Sequence, residues 1–143
     1  PQRVVEILLP DKSHIVTMGE KAQQEKLVGR LRAFARTAGK VCADCNEKGP
    51  GQICMDFSTF ICMTCSGLHR EFQHKCKGIS MSRWTAEEVR AIEAAGGNPA
   101  AQALWMATWD PAQFPVPEAG DRDRIRKFIE AKYVERRWHA AGR

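Results

Sequence analysis

Cys42-Ala43-Asp44-Cys45 and, after a gap of sixteen residues, Cys62-Met63-Thr64-Cys65 decide how this chain folds. A C-x2-C pair puts two thiolates on one tight knuckle, within reach of a single ion. Two knuckles complete the tetrahedron that zinc prefers, with sulfur at about 2.3 Å. Four thiolates leave no open coordination position, so the expected Zn²⁺ on Cys42, Cys45, Cys62 and Cys65 is one structural ion that activates no water. Such an ion can contribute on the order of 10 kcal/mol to folding. Two other readings stand beside it. One pair could be a redox C-x2-C motif, and the thiols could be disulfide-bonded in an oxidising compartment. Two pairs at this spacing weigh against the first, and nothing in the chain points to such a compartment. Cys54 and Cys76 stand outside the pattern and read as buried small apolar residues. His74 near Cys76 supplies only two ligands for a second site.

Outward from the knuckles the pattern alternates between strand and helix. Lys48-Gly49-Pro50-Gly51 is turn chemistry, and Ile53 to Phe57 and Thr59 to Cys62 read as two strands of a small sheet. Upstream, Glu20 to Ala38 lacks proline and spaces Leu27, Leu31, Phe34 and Ala35 three and four apart, which predicts an amphipathic helix with Gly39 as its C-cap. Downstream, Ser66 to Gln73 reads as a short helix and Lys75 to Met81 as a returning strand. Thr85-Ala86-Glu87-Glu88 is a capping box ahead of Val89 and Ile92. Gly96-Gly97 stops that helix, and Asn98-Pro99 starts another as N-cap and first helical residue, with Leu104 and Trp105 toward the core. A proline-rich loop carries Phe114 and Val116. The last helix is expected from about Asp121 to Trp138, with Ile125, Phe128, Ile129 and Tyr133 on its apolar face. Asp121 and Asp123 at its start and Arg136 and Arg137 at its end complement the macrodipole. The fold class is therefore α+β: a small zinc-bearing β-sheet surrounded by about five helices.

At 143 residues this is one domain. We expect it over 18–143, with an N-terminal extension, 1–17, to which no role is assigned. No run of about 18 apolar residues exists to span a membrane. The start has no secretory layout, since its apolar run Val4 to Leu9 is short and broken by Glu6, which leads us to expect an intracellular chain. The net charge of +5 suits nucleic acid, an anionic membrane, an acidic protein or simply a solvated basic surface. Two kinds of zinc domain share this cysteine spacing: a DNA-binding finger with a helix in the major groove, and a GTPase-regulating domain. Asp121, Asp123, Glu130 and Glu135 interrupt any phosphate-tracking stripe on the last helix, so no nucleic-acid partner is expected.

The residues after the second knuckle choose between them. Cys62-Met63-Thr64-Cys65-Ser66-Gly67-Leu68-His69-Arg70 closely resembles the signature of the Arf GTPase-activating (ArfGAP) domain. Further likeness lies in Cys42 to Asn46, Phe60 to Cys62, Ile79 to Met81, Thr85 to Val89, Gly97-Asn98 and Lys132 to Trp138, so that it spans about residues 22 to 138. His69 to Phe72 and Gly78 to Met81 are similar to the branch of Arf-GAP proteins with Phe-Gly repeats and their plant relatives. The resemblance implies acceleration of GTP hydrolysis on an Arf-type small GTPase, the partner, with Arg70 as the catalytic arginine finger. It also implies a cytoplasmic protein that associates peripherally with Golgi or endosomal membranes. His69 reads as local support, and Phe72, Ile79 and Trp84 as core. Outside the motif Arg70 would be an ordinary exposed arginine.

The chain departs from the family at three places. Gln52 stands where many members have tryptophan, Ser58 where glycine is usual, and Phe72-Gln73-His74-Lys75 replaces a Leu-Gly-x-His run. These positions lie near the family's GTPase contact. They keep open an alternative: a catalytically inactive ArfGAP-like adaptor, or a structural subunit of a larger assembly.

Overall fold

The computed structural model describes residues 6–8 and 15–143. Two short strands, β1 (Glu6–Leu8) and β2 (Ile15–Thr17), pair antiparallel where no element was expected from sequence. The other residues of the 1–17 extension, including most of its apolar run, lie outside the described residues. α1 (Met18–Ala38) follows, and its stripe is as expected, with Leu27 and Leu31 buried and Phe34 and Ala35 half-buried against the same cluster. Gly39 is not the left-handed cap expected: its N–H still donates to the Ala35 carbonyl at 3.0 Å, and its φ is not positive. Close approach explains the glycine, because a Cβ there would lie 2.4 Å from the Phe60 ring.

β3 (Gln52–Cys54), β4 (Thr59–Ile61) and β5 (Cys76–Gly78) form one antiparallel sheet in the order β4-β3-β5. Side chains alternate across a strand, so directly opposed residues share a face. Ile53 and Phe60, paired across β3 and β4, face α1 in a cluster with Trp84, Val89 and Ile92. Cys54 and Ile61 join the opposite cluster, with Leu68, Ile125, Ile129 and Tyr133. Burying a side chain such as Ile53 or Phe60 stabilises by about 1.5–3 kcal/mol. The sheet therefore couples the two halves of the core.

α2 (Met63–Glu71) starts inside the second knuckle, three residues earlier than expected. α3 (Ala86–Ala95) carries the complete capping box at Thr85 and Glu88 and ends on Gly96 at φ 89°. α4 (Gly97–Trp105) does not use Asn98 as its N-cap, because Gly96 takes that place. Asn98 is a cross-brace instead: its Oδ1 accepts from the Phe60 N–H at 2.8 Å, and its Nδ2 donates to the carbonyls of Phe60 and Val41. Trp105 is half-buried against the second cluster, whereas Leu104 is exposed and not part of the core.

The final helix also differs from expectation. α5 (Arg122–Ile129) passes into a wider π-helical turn, Glu130–Val134, and helix ends there. Arg136, at φ 53°, turns the chain, so Arg136 and Arg137 do not cap a helix end. Trp138 is buried from the following turn, in a third cluster with Met106, Phe128 and Ala131, against which Phe114 and Val116 pack.

Candidate functional site

The two knuckles bring Cys42, Cys45, Cys62 and Cys65 together, with their sulfurs all within 4.8 Å of one another. Cys45 Sγ and Cys62 Sγ, one from each knuckle, lie 3.6 Å apart. That is close to the edge of a tetrahedron with metal–sulfur bonds of about 2.3 Å. Each knuckle also turns a backbone N–H onto sulfur, Asp44 to Cys42 Sγ and Cys65 to Cys62 Sγ, both at 3.4 Å. Hydrogen bonds from the Cys42 and Cys65 thiols pull Cys45 down to about 5, while its contact with Cys42, together with burial, pushes Cys62 up. Four sulfurs converging at this spacing suit a tetrahedral dication, and the donor set fits a metal ion. Cys62 has a second use, because its sulfur is the N-cap of α2. A ligand at that position fixes the helix origin and favours negative charge on the thiolate.

Asp44, between the ligands of the first knuckle, is fully buried and ties three elements together. Its Oδ1 accepts from Lys132 Nζ at 2.9 Å and from the Tyr133 hydroxyl at 2.8 Å. Its Oδ2 faces His69 Nε2 on α2 at 2.7 Å. Burial opposes the Asp44 charge, but the Lys132 ammonium and the His69 contact outweigh it and hold the carboxyl well below the usual carboxylate range. Burial and the Asp44 charge together push the Tyr133 phenol up, so it remains a donor. Lys132 and Tyr133 are neighbours in the π-helical turn, and both side chains reach the same oxygen. Turns of this kind recur at functional sites. His69 is buried support, as expected from sequence, and its Nδ1 contacts His74 Nδ1 at 2.9 Å. Burial, together with the nearby His69, lowers the His74 pKa.

Arg70 follows His69 directly and points the other way, into solvent. Its guanidinium makes one described hydrogen bond, from Nη2 to the Cys76 carbonyl at 3.1 Å. The backbone beneath it is clamped on both sides. His69 is held by Asp44, and Glu71 accepts from Arg126 Nε at 2.9 Å and Nη2 at 3.3 Å, joining α2 to α5. The arrangement is an accessible, permanently charged fork on a rigid short helix. Met63, seven residues earlier on α2, shares its face and is 69% exposed.

Residues 26–142 match the model of the ArfGap family, described as "Putative GTPase activating protein for Arf". The chain belongs to the ArfGap family. This ArfGap chain is 37% identical over 125 residues to the "Probable ADP-ribosylation factor GTPase-activating protein AGD14" of Arabidopsis thaliana, covering 87% of the chain and 19% of that protein. It is 28% identical over 123 residues to the Homo sapiens "Arf-GAP domain and FG repeat-containing protein 1", covering 84% of the chain and 22% of that protein. It therefore spans about a fifth of the length of these curated relatives. Among solved structures, the "ArfGap domain of HIV-1 Rev binding protein" superposes with a TM-score of 0.76 at 28% identity, covering 85% of this chain and 93% of that one. The α+β fold and the resemblance drawn from the knuckle motif both hold.

Of the predicted site residues, the four cysteines converge, and Arg70 stands at the surface beside them in sequence. The buried network of Asp44, Lys132 and Tyr133 was given no role from sequence. One signal existed: Lys132 lies four residues after Phe128, on the apolar face of the last helix, where a lysine requires a buried acidic partner. Cys54 is buried as expected, but Cys76 is only half-buried. Ile79 and Trp84 are core, and Phe72 is half-buried against it.

Proposed function

We propose that this ArfGap domain accelerates GTP hydrolysis on an Arf-type small GTPase by presenting Arg70 in trans. The observation that carries the proposal is the solvent-facing Arg70 on a helix whose origin is a knuckle cysteine and whose neighbouring residues are clamped. A small GTPase binds its own GTP and Mg²⁺ but leaves the charge on the γ-phosphate oxygens poorly compensated. A guanidinium reaching those oxygens is worth roughly 10³–10⁵ in rate, or about 4–7 kcal/mol. Arginine suits the task because it never loses its charge and can donate two parallel hydrogen bonds to phosphate. The bond to the Cys76 carbonyl is a single exposed contact, so little is lost when the guanidinium moves to a phosphate. Exposed Met63 on the same helix face offers apolar contact to the partner.

We further propose that Zn²⁺ occupies the four-cysteine site as a structural ion, since thiolates select it over magnesium or calcium. Its contribution would be mechanical, locking both knuckles. Holding and aiming Arg70 falls to Asp44, His69 and Glu71. A cytoplasmic location and peripheral residence on Golgi or endosomal membranes belong to the same proposal. Among the described residues no helix is long and apolar enough to cross a membrane. The test is single-turnover hydrolysis of GTP preloaded on a panel of Arf-type GTPases. Stimulation of at least one supports the proposal; rates equal to the intrinsic rate across the panel refute it and leave the adaptor reading.

A further inference from the structure

β3 and β5 set Cys54 directly opposite Cys76. The ladder bonds fall on other pairs: the Met55 N–H donates to the Lys75 carbonyl at 2.7 Å, and the Ile79 N–H to the Gly51 carbonyl at 3.0 Å. Bonded and non-bonded pairs alternate along an antiparallel ladder, so Cys54 and Cys76 form a non-hydrogen-bonded pair. At such pairs the Cα atoms approach to about 4.5 Å and the side chains are at their closest. A disulfide bridges Cα separations of about 4.4–6.8 Å. Both side chains leave the same face of the sheet, directly across the ladder from each other. Cys54 is fully buried, with His69 Nδ1 at 3.8 Å from its sulfur, while Cys76 is half-buried and reaches solvent. Neither belongs to the four-cysteine cluster.

We propose that Cys54 and Cys76 are a second, redox-reactive thiol pair, which a peroxide-class oxidant closes to a disulfide. Cys76 is the attacking sulfur, because it is the accessible member. The neighbouring Cys54 thiol, opposed by burial and aided by the His69 and Arg70 charges, brings the Cys76 thiol down to about 7, whereas Cys54 is pushed up. The Cys76 thiolate attacks one peroxide oxygen. The S–O bond forms as the O–O bond breaks, and the departing hydroxide takes up the thiol's proton and leaves as water. Cys54 then attacks the Cys76 sulfenic sulfur, forming the S–S bond and breaking S–O. The proton of Cys54 leaves with the hydroxyl as a second water. Two thiols lose two electrons, and one peroxide is reduced to two waters. The Cys76 carbonyl accepts the described hydrogen bond of Arg70, so the pair lies at the finger's resting place. The chemistry itself is independent of whether Arg70 acts on a GTPase.

The test is stoichiometric hydrogen peroxide on the chain as purified, followed by non-reducing peptide mapping by mass spectrometry with metal content measured in parallel. The expected product is two hydrogens lighter, carries one Cys54–Cys76 cross-link, keeps its metal and reverts with dithiothreitol. Cys76→Ser should abolish the mass loss, and Cys54→Ser should leave a Cys76 sulfenic acid that dimedone traps. Mapping of the unsubstituted chain decides alone if either variant fails to fold. Cross-links among the knuckle cysteines with metal release, or a Cys76 sulfinic acid beside a free Cys54 thiol, would overturn the proposal.

Discussion

Asp44 spends its whole surface on other residues: two donors from the π-helical turn and one from α2. A buried charge is tolerated only when it is paired and fully hydrogen-bonded, and removing one partner strands the other. Asp44→Asn keeps the shape but leaves the Lys132 ammonium, 4% exposed, without its counter-charge. We expect a loss of about 3 kcal/mol in urea unfolding. The double variant Asp44→Asn with Lys132→Met should recover most of it. A double variant as unstable as the sum of its parts would show that the pairing is not what holds the site. At this scale the sequence was legible where residue type alone restricts chemistry. Four cysteines in two C-x2-C units have few uses, and an arginine after Cys65-Ser-Gly-Leu-His stands out. Asp44 was opaque because an aspartate inside a knuckle looks like any solvated loop residue until its partners, about ninety positions away, fold over it.

Ser58 and Gln73 mark the two tight reversals flanking the site, one between β3 and β4 and the other after α2, at φ 53° and 66°. A left-handed conformation costs a residue with a Cβ about 1–2 kcal/mol, and the extra unfolded-state freedom of glycine returns about 0.5–1 kcal/mol of that. Ser58→Gly and Gln73→Gly should therefore each stabilise the fold by about 0.5–1 kcal/mol, read as a higher urea midpoint at constant slope. A lower midpoint for both would mean that their side chains hold contacts worth more than the backbone strain. That glycine is usual at these places was visible by resemblance, but the strain itself appears only in the backbone. Elsewhere, periodicity located α1 and α3 well, because capping boxes and i, i+4 stripes are local signals. The end of α5 was misread because the apolar spacing continues to Trp138 while the backbone widens at Glu130–Val134 to deliver Lys132 and Tyr133 to Asp44. Tertiary demand outweighed local pattern there. Asn98 was misassigned for the same reason, since its amide serves β4 and Val41 and not its own helix.

The core is divided among three clusters, two of which pack on opposite faces of a sheet of three-residue strands, and the four cysteines lie in or against one of those two. Strands this short cannot hold the halves together alone. If the proposed Zn²⁺ locks the knuckles, stripping it with a strong chelator should unfold the domain cooperatively, with helical ellipticity and tryptophan burial lost together and recovered on adding Zn²⁺. Retention of both signals in metal-free protein would show that the apolar clusters suffice. On the proposed function, the task of the whole frame is to carry one side chain, Arg70. The most direct measurement is single-turnover GTP hydrolysis on a responsive Arf-type GTPase with the parent chain and with Arg70→Lys, at matched metal content and melting temperature. Lysine keeps the charge and loses the fork, and the predicted result is a fall of at least roughly 10³ in stimulated rate, to near the intrinsic rate. Equal stimulation by parent and Arg70→Lys would contradict the assignment.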